Sequence, residues 1–361
     1  MCAKLASAAA AAWMACCLVS GAWCQEKSEA GMTASEIGPS VQFGQNVQQR
    51  FTLSDFRGKL VVVVYFQSWC PICNGWSPRL FNQIEQAAGD RREVVLLAVK
   101  TDGGDWNAAA SYLKSRITDP SRWLIASDRE ATWYQVAMGT DELYGYLVIG
   151  PDGKVVSRGK AGMFYTSGAA KDRFILAADL DKYIQKTQPA TILPKDKAYH
   201  ESLKPAVRAA ELRQFAIAWQ LCGKASGKEA ATSAAELKKD LTDWAAGRVK
   251  SLRLVPADTE AAGETRFDAY VELRQIADGL PATDPGKGAR KAAAEAAKDK
   301  TVAREIQAQA DYLALMAKAA ASPKKLVKDP DFAAALKALA RKYPDTRCGK
   351  MAADDAARIE G

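Results

Sequence analysis

The hydrophobic pattern changes character near the middle of the chain. From about residue 40 to 187, short β-branched runs alternate with segments whose apolar positions recur every third or fourth residue, which predicts an α/β domain with a partly parallel sheet. Leu60–Gln67 (LVVVVYFQ) is a continuous apolar run and predicts a central strand buried on both faces; Glu93–Lys100 predicts a second. Shorter strands are expected at Phe51–Leu53 and Trp123–Ser127. A hairpin is expected at Gly145–Ile149 and Val155–Arg158, turned by Pro151-Asp152-Gly153. Helices are expected over Asn74–Ala88, Trp106–Lys114, Glu130–Met138 and Ala169–Gln185.

Past this point strand signals almost vanish. The segment 188–196, with Pro189 and Pro194, reads as a linker. Residues 197–361 are rich in Ala, Lys and Glu, with helical runs near 205–222, 232–253, 264–279, 288–321 and 329–341. The expected architecture is therefore an α/β domain followed by an all-α one. Within the second, Ala338–Met351 (ALARKYPDTRCGKM) resembles the helix-turn-helix punctuation of tetratricopeptide-type repeats, so the domain is expected to be helical-repeat-like.

The first 24 residues fit neither pattern. Lys4 precedes an apolar, alanine-rich run, Leu5–Val19, shorter than the ~20 residues needed to span a bilayer. They read as a signal peptide cleaved after Ala22 or Cys24. Trp23 before Cys24 argues against a lipid-anchored start. An exported protein, periplasmic or extracellular, with no stable membrane span after cleavage is expected. The domains then fall at 25–187 and 197–361.

Composition narrows the chemistry. With 361 residues, 48% apolar, 25% charged and a mean hydropathy of −0.21, the chain can build two globular cores. Its single histidine, His200, removes the commonest ingredient of zinc sites, Ser-His-Asp triads and Cys-His nucleophile pairs. His200 itself, near the linker, reads as solvated. Basicity sits in the second half: residues 190–361 hold 30 Lys and Arg against 24 Asp and Glu. The signs alternate, which describes solvated helix faces and gives no basis for a nucleic-acid partner. Of eight cysteines, Cys70, Cys73, Cys222 and Cys348 lie clear of the leader, an even number suited to an oxidising compartment.

The sharpest chemical signal is SWCPICNGWSP, between the first buried run and a predicted helix. Two cysteines three apart across a helix start can close and reopen a disulfide with little backbone movement. Cys70 would lie at the helix N-terminus, where free amide groups stabilise a thiolate, and Cys73, one turn in, suits the resolving role. Pro71 is tolerated in the first turn.

The segment FTLSDFRGKLVVVVYFQSWCPIC, with Pro78 beyond it and LVIGPDGKVV at 147–156, resembles the periplasmic thioredoxin-like oxidoreductases of the TlpA/ResA type over roughly residues 40 to 187. The resemblance implies a thioredoxin fold, a dithiol/disulfide cycle with Cys70 as attacking sulfur, a protein thiol or disulfide partner, and no cofactor. A peroxiredoxin reading of FTLSDFRGK fits less well, because the cysteines are CxxC-spaced beside Trp69. Three positions depart from the pattern. The family's cis-proline falls at Tyr144, where a trans bond is expected and the ring is expected to cover Cys70. Its strand carboxylate falls at Val64, and the acid after the CxxC at Trp76.

These departures keep a second reading open: a static CxxC disulfide in a binding or structural module with a partner-binding helical domain. A metal site of Cys70, Cys73, Cys222 and Cys348 is a third, disfavoured by the lack of close spacing in the second pair. Cys222 and Cys348 are instead expected to form a disulfide that pins the C-terminus. Trp219 and Trp244 are expected in the helical core.

Overall fold

The two continuous apolar runs become the centre of a sheet. The computed structural model describes residues 31–44, 51–142, 144–252, 262–322 and 325–361; the expected export signal at 1–24 lies outside them. Strands β2 (Leu60–Phe66) and β3 (Val94–Lys100) pair in parallel, and every residue of both is buried. With β1 (Gln42–Phe43), β4 (Trp123–Ser127), β5 (Gly145–Ile149) and β6 (Val155–Gly159) they form a six-stranded sheet of order β1-β4-β3-β2-β5-β6. The β2–β3–β4 core is parallel; β1, β5 and β6 pair antiparallel. This is a thioredoxin-like α/β sheet, followed in the chain by a helical region.

Side chains alternate across a strand. Leu60, Val62, Val64 and Phe66 therefore face a layer of α1 (Pro71–Ala88), α2 (Trp106–Leu113), α4 (Ile175–Ala178) and α5 (Leu180–Thr187). Val61, Val63 and Tyr65 face α3 (Thr132–Met138) and apolar side chains of residues 34–41. Two local expectations are corrected. Phe51–Leu53 is not a strand. The Asp55 carboxylate accepts from the Thr52 N–H (2.6 Å) and hydroxyl (3.0 Å), which bends the chain into a 3₁₀ turn, Leu53–Phe56. The helix expected from Ala169 begins only at Ile175. Before it, Tyr165 and Asp172 close a loop by N–H bonds to Arg173 O and Tyr165 O, both 2.9 Å.

The helical region comprises α6 (Lys204–Glu211), α7 (Phe215–Gly223), α8 (Lys228–Leu252), α9 (Ala262–Gly279), α10 (Asp284–Ala296), α11 (Lys300–Ala321), α12 (Pro330–Lys342) and α13 (Arg347–Glu360). The run expected over 205–222 breaks at Arg213, which takes a left-handed φ of 59°. The run over 288–321 breaks at Asp299, whose carboxylate accepts the N–H groups of Thr301 (2.8 Å) and Val302 (3.4 Å) and so starts a new helix. The Tyr343-Pro344 turn does separate two helices, with Thr346 capping α13. Apolar faces of α6–α10 enclose one core, around Phe215, Leu237, Leu241 and Ile276. Those of α11–α13 enclose another, around Tyr312, Met316, Leu336 and Ile359, which also takes Val136 from α3.

Residues 31–361 form one compact unit, and the segment 188–196, read as a linker, is packed against its neighbours. The Ala190 N–H donates to Gly58 O (2.7 Å), and Ile192 and Leu193 are buried. Their N–H groups donate to the Glu211 carboxylate at 2.9 and 3.1 Å, and the same carboxylate pairs with the buried Lys59 ammonium of the sheet layer. A second tie is made by Asp355 of α13, which accepts from Ser35 Oγ and Tyr312 OH, both 2.6 Å, and pairs with Arg358. Gly139, at φ 60°, ends α3 so close to α13 that a Cβ would lie 2.5 Å from Arg358 O. Only glycine allows that approach.

Candidate active site

The CxxC lies where the chain leaves β2 at its carboxyl end and enters α1. Cys70 is the N-cap residue, Pro71 fills the first helical position, and the Cys73 N–H donates to Cys70 Sγ at 3.2 Å. A sulfur thus occupies the place of a capping oxygen, at the positive end of a helix of 18 residues. Cys70 and Cys73 are joined as a disulfide, with Cα atoms 5.2 Å apart. Both are buried, 4% and 1% exposed, whereas Trp69 beside them is 59% exposed.

The loop before Cys70 is held by residues that the sequence reading passed over. Asp102, just past β3, accepts from Ser68 N–H and Ser68 Oγ, both 2.7 Å, and pairs with Lys100 at 2.6 Å. Ser68 O accepts from Asn74 Nδ2 (3.3 Å), and Asn74 Oδ1 accepts from Tyr112 OH (2.6 Å). The Arg116 guanidinium lies 3.7 Å from the Tyr112 ring centroid. The strand end, the CxxC loop and the first turn of α1 are thereby tied together. The signal was present in the Lys100-Thr101-Asp102 run. Charges closing a buried parallel strand sit at the edge of the sheet where α/β folds place their sites.

Trp76, one turn past Cys73, meets Tyr144 edge-on with ring centroids 5.6 Å apart, and Phe174 at 6.0 Å. The half-buried Tyr144 ring packs against Trp76. It immediately precedes β5, whose Gly145 pairs with Tyr65 of β2, so it stands at the same sheet edge as the CxxC. The bond before it involves Leu143, outside the described residues. Val64 is buried in the α1-side core, so no carboxylate occupies that strand position. A second buried acid at this edge is Asp128, past β4, its Oδ2 accepting from the Tyr134 N–H at 2.9 Å. Burial pushes its carboxyl up to about 7.

The remaining candidates are not brought to the site. Cys222 and Cys348 are buried free thiols, and the expected disulfide between them is corrected. Cys222 belongs to the α6–α10 core and Cys348 to the α11–α13 core, each packed as a small hydrophobe. The four-cysteine metal set is not assembled, since Cys70 and Cys73 are bonded to each other. Burial raises both free thiols above their ordinary range. His200 is exposed and caps a short 3₁₀ turn through Nδ1. Trp219 and Trp244 pack, half-buried, on the α6–α10 core.

Residues 36–158 match the AhpC/TSA family. No curated protein matches the chain. Among solved structures, a thiol:disulfide interchange protein from Bacteroides sp. is 19% identical, covering 43% of this chain and 91% of that one at a TM-score of 0.29. A secreted disulfide oxidoreductase of Mycobacterium tuberculosis, homologous to E. coli DsbE, is 16% identical over 44% and 98%, at 0.28. BsSco, of the Sco family of cytochrome c oxidase assembly proteins, is 10% identical over 45% and 97%, at 0.35. The family match falls on the thioredoxin-like sheet of the N-terminal half, which carries the Cys70–Cys73 disulfide.

Proposed function

We propose that the protein is an exported thiol-disulfide oxidoreductase in which Cys70 attacks and Cys73 resolves, acting on protein or small-thiol partners. The observation that carries this reading is the sulfur cap: a disulfide placed on the first turn of α1, with the Cys73 N–H on Cys70 Sγ. In the reduced form the same N–H and the helix dipole favour the Cys70 thiolate. That thiolate attacks one sulfur of a partner disulfide; the partner's S–S bond breaks and its other sulfur leaves as a thiolate that takes a proton. Cys73, deprotonated, then attacks Cys70 Sγ, the mixed disulfide breaks, and the second partner sulfur leaves as a thiol. Two electrons and two protons pass from the dithiol to the partner, and the reverse sequence oxidises a partner dithiol. Tyr144 and Trp76 stand as a pair of rings past Cys73 and narrow the approach to large substrates. Export is supported by the leader pattern.

The burial of both sulfurs supports a second reading, a static disulfide in a binding module. Titration against glutathione separates the two: a working pair equilibrates within the range of thiol-disulfide oxidoreductases, a static bond resists. With the pair shown to be labile, Cys73→Ser should trap a mixed disulfide on Cys70. Trapping on Cys73 in the Cys70→Ser protein instead would reverse the assigned roles.

A further inference from the structure

The first turn of α1 carries, besides the disulfide, a cation that has no anion. Asn74, one residue past Cys73, bridges two segments. Its Nδ2 donates to Ser68 O in the loop before Cys70 (3.3 Å), and its Oδ1 accepts from Tyr112 OH (2.6 Å) and from the Arg116 guanidinium (3.3 Å). The Tyr112 ring stacks on Phe66, the last residue of β2, with centroids 5.0 Å apart, and the guanidinium lies 3.7 Å from the same ring's centroid. Arg116 Nη1 donates to Tyr112 O (2.7 Å) and Ser115 Oγ (3.1 Å), while its Nε is buried with no acceptor. No ion pair joins Arg116 to a carboxylate of the described residues.

Arginine keeps its charge at every working pH. A half-buried positive charge is therefore held at the helix end that the macrodipole already makes positive. With the disulfide closed, that placement is unfavourable; it becomes favourable once Cys70 carries a thiolate. The other charges that hold this loop, Lys100 and Asp102, pair with each other at 2.6 Å and cancel. Strand β2 up to Phe66 carries no charged residue to oppose the effect. We infer that Arg116 is a positioning residue for the dithiol: through Asn74 it fixes the loop before Cys70, and its charge stabilises the Cys70 thiolate of the reduced form, which makes the pair more oxidising. This assignment rests on the reading of Cys70 as the attacking sulfur and names the residue that tunes it.

The full chain, Arg116→Met and Arg116→Lys are each reduced with dithiothreitol and alkylated with iodoacetamide across a pH series, the label being located at Cys70 by peptide fragmentation. In parallel each is equilibrated with glutathione. Arg116→Met keeps an apolar stem over Tyr112 and loses the charge. It should move the Cys70 alkylation midpoint up by about one pH unit. Above the wild-type midpoint it should raise the equilibrium constant for disulfide formation about tenfold, a potential lower by about 30 mV. Arg116→Lys, which keeps the charge, should restore most of both. If the methionine variant fails to fold, Arg116→Gln takes its place. An unmoved midpoint in the neutral variant, or a lysine variant shifted as far as the methionine one, would overturn the inference. A pair that resists glutathione in every variant would instead sink the reading of Cys70 as a working nucleophile, and the midpoint of the chemically reduced chain would still decide the role of Arg116.

Discussion

The disulfide-bearing half and the helical half keep their apolar surface in different places. Among the described residues the large hydrophobic side chains left exposed are Trp69, Met163 and Phe164, all in the first half. Trp69 adjoins Cys70, and Phe164 packs edge-on against Phe174, which in turn meets Trp76. The helical half turns its apolar faces into its own two cores and into the seam, where Val136 of α3 enters the α11–α13 core and Leu212 enters the sheet's. The exposed large apolar side chains thus all belong to the disulfide-bearing half, while those of the helical half are buried or half-buried. The helical region, on this comparison, completes the fold of the first half.

Cutting the chain after Asp196, at the expected domain boundary, has the largest expected effect. This removes Glu211 from Lys59, Arg358 and Asp355 from Ser35, and the cover over Val136. The fragment is expected not to fold; a monomeric, cooperatively melting 31–196 fragment with native circular dichroism would show the first half to be independent. A narrower cut is Glu211→Gln, which leaves the Lys59 ammonium buried beside a neutral group. Loss of about 3–5 kcal/mol in denaturant unfolding is expected, and a loss below 1 kcal/mol would mean that the seam does not rely on this pair.

A third test uses pH. The Asp128 carboxyl titrates at about 7 in the folded protein and near its ordinary 3.8 when unfolded. The folded state therefore holds the extra proton, and the stability this confers is complete below about pH 4 and lost as pH rises through 7. Relative to Asp128→Asn, the wild type should lose about 2–4 kcal/mol between pH 4 and pH 8; parallel pH profiles for the two would refute the burial argument. The smallest effect concerns the two free cysteines. Unfolded without reductant and alkylated, the chain should label at both Cys222 and Cys348, and Cys222→Ala should shift the melting temperature by a few degrees at most. A cross-linked Cys222–Cys348 peptide would restore the disulfide that the two separate cores exclude.

Much of this molecule was legible from order along the chain. Leu60–Gln67 and Glu93–Lys100 announced buried parallel strands because no polar residue interrupts them, and Trp123–Ser127 and Gly145–Ile149 fell at their predicted limits. The CxxC was readable for the same reason, since its spacing and its place between strand and helix are local. What failed was decided by side chains reaching back to the backbone: Asp55 turned a predicted strand into a 3₁₀ turn, and Asp299 cut one predicted helix in two.

Order along the chain was enough for the alternation of strand and helix, the position of the dithiol at a helix start, and the mainly helical character of the described residues past 203. Tertiary structure alone decided that Cys222 and Cys348 lie in different cores, that the 188–196 segment packs under Glu211, and that Asp102 and Asn74 fasten the loop before Cys70. The packing of 188–196 and the Ser68–Asp102 bonds join residues far apart in the chain, and the separation of the two cysteines follows from which helices share a core, whereas periodicity reports only which face of an element is apolar. Which other face will cover it depends on how separate elements close on one another.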